Sequence, residues 1–167
     1  MDIIYHALVG VAISKSLGGK YEAAAAICAM LPDLIGTTPL YYFRSPYLSQ
    51  TSAKDFLTHM IHATTSEKFT NTVEKIAYRT THSLVTALLF SLLMYLLFPA
   101  AWIILSLSWL SHVLIDIPTH SGDFATQLLY PISQVHIQAK NWSTKPKVFI
   151  LLWGILLAIL ALQYLYH

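Results

Sequence analysis

Five apolar stretches run along the chain, and each is long enough to predict a helix rather than a strand. The first ends at a Gly-Gly pair, and the third and fourth are joined across Pro99, which predicts a tight hairpin. The fifth has the length of a membrane-spanning helix and carries aromatic residues near its ends. The stretches cover residues 3–17, 23–43, 83–98, 100–117 and 148–166.

The first two stretches differ from the others because they are short or interrupted. At about 1.5 Å per residue, the first is too short to cross a hydrocarbon layer of roughly 30 Å comfortably. Gly18 and Gly19 are expected to fold the second stretch back on the first as an antiparallel hairpin. Pro32 interrupts the second stretch, which predicts a broken helix from Glu22 to about Leu31, then a turn and a second short piece.

Two polar segments, 44–81 and 118–147, separate the apolar stretches. In the first of them apolar residues recur at helical spacing, which predicts one or two amphipathic helices at the interface. His59 and His62 lie there, and we interpret them as an exposed interfacial pair. We therefore predict an all-α integral membrane helical bundle of four to five hydrophobic segments. It forms a single domain over residues 1–167, with 44–81 as an amphipathic helical insert.

The composition supports a membrane protein. Apolar residues make up 56% of the chain and charged residues 11%, whereas a soluble protein carries roughly 25% charged residues. The mean hydropathy is +0.57. A soluble domain of this size cannot bury so much apolar surface, so lipid is expected to cover part of it. The net charge of +2, without a basic run, excludes nucleic acid as an expected partner.

The basic residues predict the orientation in the membrane. Eight of the ten fall in the two polar segments, which an even number of crossings places on the same side. The positive-inside rule makes that side cytoplasmic. The sequence thus predicts an integral membrane protein whose two polar segments face the cytoplasm.

Several ionisable residues lie in or at the edge of apolar stretches, where lipid alone does not tolerate them. A lone charge at the bilayer centre costs at least roughly 2.5 to 3.5 kcal/mol, so such residues face a protein interior or a wet cavity. Antiparallel crossings would bring all of them to one depth, on the side of the polar segments. They are His6, Asp33, His82, His112 and Asp116.

Local spacing points to a metal site. His112 and Asp116 are four residues apart, so both project from one face of a helix, as paired metal ligands do. His120 is four residues further on, but Pro118 intervenes, which makes His120 a loop ligand or a supporting group. Imidazole and carboxylate together suit a divalent metal, with zinc first and manganese or iron as alternatives. A metal would also offset the cost of burying both carboxylates.

Two other functions use the same residues. An ion or proton pathway also employs intramembrane Asp and His, although the chain is small and shows no inverted repeat, so a transporter would require a homo-oligomer. Alternatively, the protein is a non-catalytic structural or partner-binding membrane protein in which these side chains hydrogen-bond one another.

The ordered motifs HALVG, LPDLIG, TTHSLV, WLSHVLIDIPTHSG and LLYP resemble those of the YdjM-like inner-membrane proteins, over roughly residues 3–131. The resemblance implies metal-dependent hydrolysis. It also implies the same polar site of three histidines and two aspartates. The sequence departs from the family pattern at Ile35, where a second Asp is frequent. It also departs at Ala77 and Tyr78, where His and Arg are frequent.

We therefore predict a metal-dependent hydrolase acting on a membrane-associated ester, such as a lipid or phospholipid-like substrate. A site at membrane depth lets a lipid enter laterally from the bilayer, so membrane lipid is the expected partner. The predicted catalytic residues are His82, Asp116 and Asp33. The predicted metal ligands, near the cytoplasmic face, are His6, Asp33, His82, His112, Asp116 and His120.

Overall fold

The computed structural model describes residues 2–48, 69, 72–140 and 145–166. These residues form six α-helices, a short 3-10 turn at Gly122–Phe124, and an isolated antiparallel bridge between Thr126 and Ile137, with no strand. The predicted all-α class is therefore confirmed. The helices are α1 (Ile3–Ser16), α2 (Glu22–Leu48), α3 (Thr72–Thr81), α4 (Leu84–Leu97), α5 (Trp102–Asp116) and α6 (Pro146–Tyr166).

The first two helices form the predicted antiparallel hairpin. Gly18 and Gly19 make the turn with φ angles of 104° and 70°, which glycine adopts without steric cost. At Gly10 the two helices approach so closely that an added Cβ would collide with the backbone carbonyl of Ala25. A small residue at this position therefore sets the distance between α1 and α2.

The predicted break of the second helix at Pro32 is wrong, because α2 continues from Glu22 to Leu48. Proline lacks an N–H and leaves the Cys28 carbonyl without its helical donor. A helix tolerates this when neighbouring helices provide compensating contacts. Helix α5 contacts the backbone one residue further along α2, where His112 Nδ1 lies 2.7 Å from the carbonyl oxygen of Ala29. Pro32 is itself fully buried, so tertiary packing holds the helix together here.

A sharp bend between α3 and α4 places a histidine at the centre of the fold. The two helices meet at 58°, and His82 lies in the short break between them. Ser83 begins α4 as its N-cap, because its Oγ accepts a hydrogen bond from the Thr86 N–H at 3.1 Å. From there α4 runs to Leu97, and Pro99 lies in the turn to α5, as the sequence predicts.

Few of the helices are long and apolar enough to cross a membrane on their own. Among the described residues, only α6, with 21 residues, is a single helix long and apolar enough to span a bilayer. The bent pair of α3 and α4 passes the same test only when taken together, and α1 and α5 are shorter apolar helices. The predicted bundle of four to five hydrophobic segments is therefore not confirmed beyond an all-helical fold with one clear apolar span.

The helix α2 lies in the middle of the structure and packs against α1, α3 and α5, while α1 also contacts α5 and α6. The predicted amphipathic insert, 44–81, is described only at its ends, by the last turn of α2, by Phe69 and by α3. His59 and His62 lie outside the described residues.

Candidate metal centre

Four of the predicted site residues come together where α2, the α3–α4 bend and α5 meet. Each offers one ligand atom, and these atoms all lie within 4.8 Å of one another. Asp33 comes from α2, His82 from the bend, and His112 and Asp116 from one face of the last turns of α5. Residues separated by up to 83 positions in the sequence therefore share one site.

The distances between the polar atoms are those of ligands around one cation. The Nε2 atoms of His82 and His112 are 3.1 Å apart. Asp116 Oδ2 lies 3.4 Å from the first and 3.2 Å from the second, and Asp33 Oδ1 lies 3.4 Å and 3.6 Å from them. Tetrahedral zinc with bonds of about 2.0–2.1 Å holds its ligands roughly 3.3–3.4 Å apart. These five distances are therefore compatible with one divalent metal held among the four side chains.

The tautomers of the two histidines support the same interpretation. His112 Nδ1 faces the Ala29 carbonyl, and His82 Nδ1 lies 2.9 Å from the carbonyl oxygen of Tyr78. A carbonyl only accepts hydrogen bonds, so each Nδ1 carries a proton and donates it. In neutral imidazole this leaves a lone pair on each Nε2, the arrangement typical of metal-binding histidines. When both imidazoles are neutral, two lone pairs and two carboxylate oxygens therefore converge.

Aromatic stacking holds both imidazole rings in place. The Tyr78 ring stacks on His82 with centroids 3.8 Å apart and an interplanar angle of 18°. On the other side, the His6 ring stacks on His112 at 3.7 Å and 24°. Because the stacked rings and the Nδ1 contacts fix the imidazoles, the Nε2 atoms are preorganised before any ligand binds.

His6 and His120 contact the opposite oxygen of Asp116. The distance from Asp116 Oδ1 is 3.3 Å to His6 Nε2 and 3.4 Å to His120 Nδ1. His120 lies in the loop beyond Pro118, where its Nδ1 is also 3.3 Å from the main-chain oxygen of Asp116. Burial lowers the pKa of the His120 imidazole to about 4, although the Asp116 charge acts to raise it. His120 is therefore neutral near pH 7.

The site opens on one side. The side chains of His82, His112 and Asp116 are at most 1% exposed, whereas Asp33 is 19% exposed. Asp33 is therefore the member of the four that solvent or a substrate reaches first.

An aromatic cluster closes the neighbouring face, where the Phe124 ring lies 4.9 Å from Tyr78 and 4.4 Å from Phe69. The backbone of Phe69 is held by Asp123, whose Oδ2 accepts from the Phe69 N–H at 3.2 Å. The carboxylate of Asp123 thus holds Phe69 against the cluster that packs on Tyr78.

The structure brings all six predicted ligands into one connected group, and their catalytic and metal-binding roles stay predictions. Sequence reasoning missed Tyr78, although its place four residues before His82 puts it on the same helical face. At Ile35, where the family pattern frequently has a second Asp, the side chain is 48% exposed. His136 is an exposed loop residue outside the group, and His167 lies outside the described residues.

Comparison with curated proteins and with solved structures gives no significant match. Comparison with known families matches the whole chain, residues 1–167, to the family described as YdjM inner membrane protein. The resemblance seen in the motifs is thereby confirmed, and an inner-membrane family accords with the apolar helix α6. The chain belongs to the YdjM inner membrane protein family.

Proposed function

We propose that the protein is a metal-dependent hydrolase of the inner membrane, with a divalent metal bound by His82, His112 and Asp116. The observation that carries the proposal is the pair of Nε2 lone pairs, 3.1 Å apart, facing a buried carboxylate. Without a cation these acceptors would repel one another in a dry environment. Zinc suits two imidazoles and a carboxylate best, and manganese and iron(II) accept the same ligands.

Asp33 is proposed as the proton acceptor rather than as a necessary ligand. It is the exposed member of the group, and its Oδ1 has the longest contacts, at 3.4 Å and 3.6 Å from the two histidines. A divalent metal with an open position supplies Lewis acidity and lowers the pKa of a bound water toward neutrality. A carboxylate beside that position holds and removes the proton of an attacking water.

A lipid ester is the proposed substrate. An open groove of about 520 Å³ runs between α1, α5 and α6, with almost entirely apolar walls. Two of its lining residues, Tyr5 and Ile115, directly precede His6 and Asp116 in the sequence. Helices α1 and α5 therefore each contribute to both the groove and the cluster of histidines and aspartates, and the apolar walls of the groove suit an acyl chain. Membership of an inner-membrane family supports a substrate that enters from the bilayer.

A site near the cytoplasmic face is part of the proposal, because eight of the ten basic residues lie in the two polar segments. The variant Lys140→Cys tests it, since Lys140 is exposed and Cys28, the single native cysteine, is buried. A membrane-impermeant thiol reagent should label position 140 in inverted vesicles and not in intact cells. Labelling in intact cells would reverse the orientation.

Metal analysis of the purified protein tests the centre itself. We expect at least one equivalent of zinc, manganese or iron per chain. The metal should be lost in the His112→Ala, Asp116→Ala double variant and retained in His136→Ala, which alters an exposed histidine outside the site. A wild-type protein without metal above background would overturn the metal centre and favour a structural role for the cluster.

Hydrolysis is tested separately on a panel of membrane lipids. The wild type should release product, whereas Asp33→Asn should keep its metal and lose turnover. Loss of metal in Asp33→Asn would make Asp33 a ligand instead. A metal-loaded wild type that hydrolyses no lipid in the panel would refute the lipid hydrolase and leave a metal-binding protein.

A further inference from the structure

An exposed apolar stretch lies in the loop between α5 and α6. Four large hydrophobic side chains are exposed between residues 129 and 137, and two of them, Ile132 and Val135, are 79% and 76% exposed. The other two are Leu129 and Ile137. Single apolar side chains are ordinary on a protein surface, whereas several in one short segment mark a surface that contacts another molecule.

The stretch rests on a buried base, so its exposed side chains have a defined position. Ala125, Thr126 and Gln127 are at most 3% exposed. The Thr126 carbonyl accepts a hydrogen bond from the Ile137 N–H at 3.0 Å, and the Gln127 side chain donates to the Gln134 carbonyl at 3.1 Å. These bonds fix the backbone of the loop and leave its apolar side chains on the outside of the fold.

Both ends of the loop lie at the ends of apolar helices. Near its start, the Leu128 carbonyl accepts from the N–H of Leu84, the first residue of α4, at 2.8 Å. At its end the loop leads into α6, whose 21 residues reach across a hydrocarbon layer of roughly 30 Å at about 1.5 Å per residue. The start of α6 therefore lies at a membrane surface. Because irregular backbone is excluded from the lipid-exposed hydrocarbon core, the headgroup region is the depth available to the loop.

The charge of this part of the chain fits an anionic membrane surface. All eight acidic residues come before residue 124, so the remainder of the chain carries lysines and no acid. These lysines, Lys140, Lys145 and Lys147, are exposed and lie between the apolar stretch and the first turn of α6. Lysines beside an interfacial segment attract anionic headgroups, and their long stems can lie along apolar surface.

We propose that residues 129–140, together with Lys145 and Lys147, form an interfacial anchor that binds anionic phospholipids. The exposed apolar side chains of the anchor insert at the boundary between headgroups and acyl chains, about 5–10 Å deep. Its lysines bind the phosphate groups of the surrounding lipids. The inference goes beyond the proposed function, since it requires neither a metal nor hydrolysis.

The anchor is joined directly to the candidate metal centre. The Ala139 N–H donates to the His120 carbonyl at 3.2 Å, and His120 contacts Asp116. Insertion of the anchor therefore holds the neighbouring centre at the depth of the lipid headgroups.

The test uses the full chain in lipid nanodiscs, with an environment-sensitive fluorophore attached to Ile132→Cys or Val135→Cys. Cys28, the single native cysteine, is buried, so the wild type serves as the labelling blank. We expect blue-shifted emission and strong quenching by phospholipids that carry a nitroxide near the headgroup, with weaker quenching by a nitroxide at the end of the acyl chain. The control Thr72→Cys, at an exposed polar residue of α3, should show unshifted emission and be quenched by aqueous iodide instead.

The choice of headgroup is tested with the same fluorophores. Nitroxide-labelled phosphatidylglycerol should quench them more strongly than nitroxide-labelled phosphatidylcholine at equal mole fraction, because the lysines enrich anionic lipid around the anchor. The preference should disappear in the triple variant Lys140→Gln, Lys145→Gln, Lys147→Gln, and also at high salt, since salt screens exposed charges. The control Lys20→Gln, at an exposed lysine beside the glycine turn, should keep the preference.

Three results would overturn the proposal. Equal quenching by the two lipids, with all three lysines present, would exclude anionic headgroups as the partner. Iodide quenching at positions 132 and 135 equal to that of the control would place the loop in water. Blue-shifted emission that no lipid nitroxide quenches would assign the exposed side chains to a contact with protein. Because Val135→Cys repeats each measurement, a misfolded Ile132→Cys variant does not prevent a decision.

Discussion

Gly36 gives the sharpest test of how the fold positions the metal centre. It lies on α2 against the α3–α4 bend, where an added Cβ would sit 2.5 Å from Thr81 Oγ1, 3.2 Å from Tyr78 Cα and 3.3 Å from His82 Cε1. Ordinary contacts begin at 3.4 Å, so the Thr81 contact is too short by about 0.9 Å. The variant Gly36→Ala must therefore move the Thr81 hydroxyl and press on Tyr78 and His82 by a few tenths of an ångström.

The displacement of the Thr81 hydroxyl determines how far metal binding is weakened. Thr81 Oγ1 lies 3.0 Å from His82 Nδ1, so moving the hydroxyl disturbs the contacts that orient the ring. Metal–ligand distances tolerate only about 0.2 Å. Changes in groups that orient a ligand typically weaken metal binding by roughly 10–100-fold, and we expect this loss in Gly36→Ala. Overpacking costs about 1–3 kcal/mol, against a gain of about 1 kcal/mol in helix propensity.

The assay is chelator competition for the bound metal, combined with thermal unfolding in detergent. The matched control is Gly154→Ala in α6, where an added Cβ meets nothing within 4 Å. The control should bind metal as the wild type does and unfold at the same or a higher temperature. The claim that close approach at Gly36 positions His82 would be refuted by one result. In that result Gly36→Ala binds metal as tightly as the wild type and unfolds at the same or a higher temperature.

Three further predictions follow from the packing and the ligands. Gly10→Ala should cost about 1–3 kcal/mol of stability, measured by thermal unfolding, because its Cβ would collide with the Ala25 carbonyl; stability equal to that of Gly154→Ala would contradict this. Trp153→Phe should cost about 0.5–1.5 kcal/mol in the same assay, because Trp153 Nε1–H donates to Asp2 Oδ2 at 3.2 Å; an unchanged unfolding temperature would show that the bond contributes nothing. Metal affinity, measured by chelator competition, should fall steeply below about pH 6, because protons compete for the imidazole nitrogens; constant affinity down to pH 5 would exclude histidine ligation.

The local parts of the site were predictable from the sequence. The i, i+4 spacing of His112 and Asp116 predicts that both lie on one face of a helix. In the structure both lie on α5, and both belong to the candidate metal centre. The turns were also predictable, since Gly18, Gly19 and Pro99 lie in the turns that connect neighbouring helices. These signals are strong because they depend only on helix periodicity and on backbone freedom.

The contacts between helices were not predictable. The sequence indicated a break at Pro32, but the packed helix α5 next to it, with His112 facing the Ala29 carbonyl, is a tertiary effect. The spacing of four residues places Tyr78 on the same helical face as His82, but its roles as a stacking partner and a carbonyl acceptor depend on the bend between α3 and α4. The two-sided contact of Asp116 depends on the orientation of one carboxylate, which no sequence pattern determines.

The position of Asp116 in its helix argues for a cation independently of the distances. It is the last residue of α5, where the helix dipole contributes a partial negative charge and disfavours a carboxylate. The side chain is nevertheless completely buried, and a carboxylate oxygen of Asp33 lies within 4.8 Å of one of its oxygens. The two imidazoles that face Oδ2, those of His82 and His112, already donate their Nδ1 protons to main-chain carbonyls. His6 and His120 face the other oxygen, Oδ1. Positive charge from a metal bound at Oδ2 would offset both the negative end of the helix dipole and the proximity of the two carboxylates.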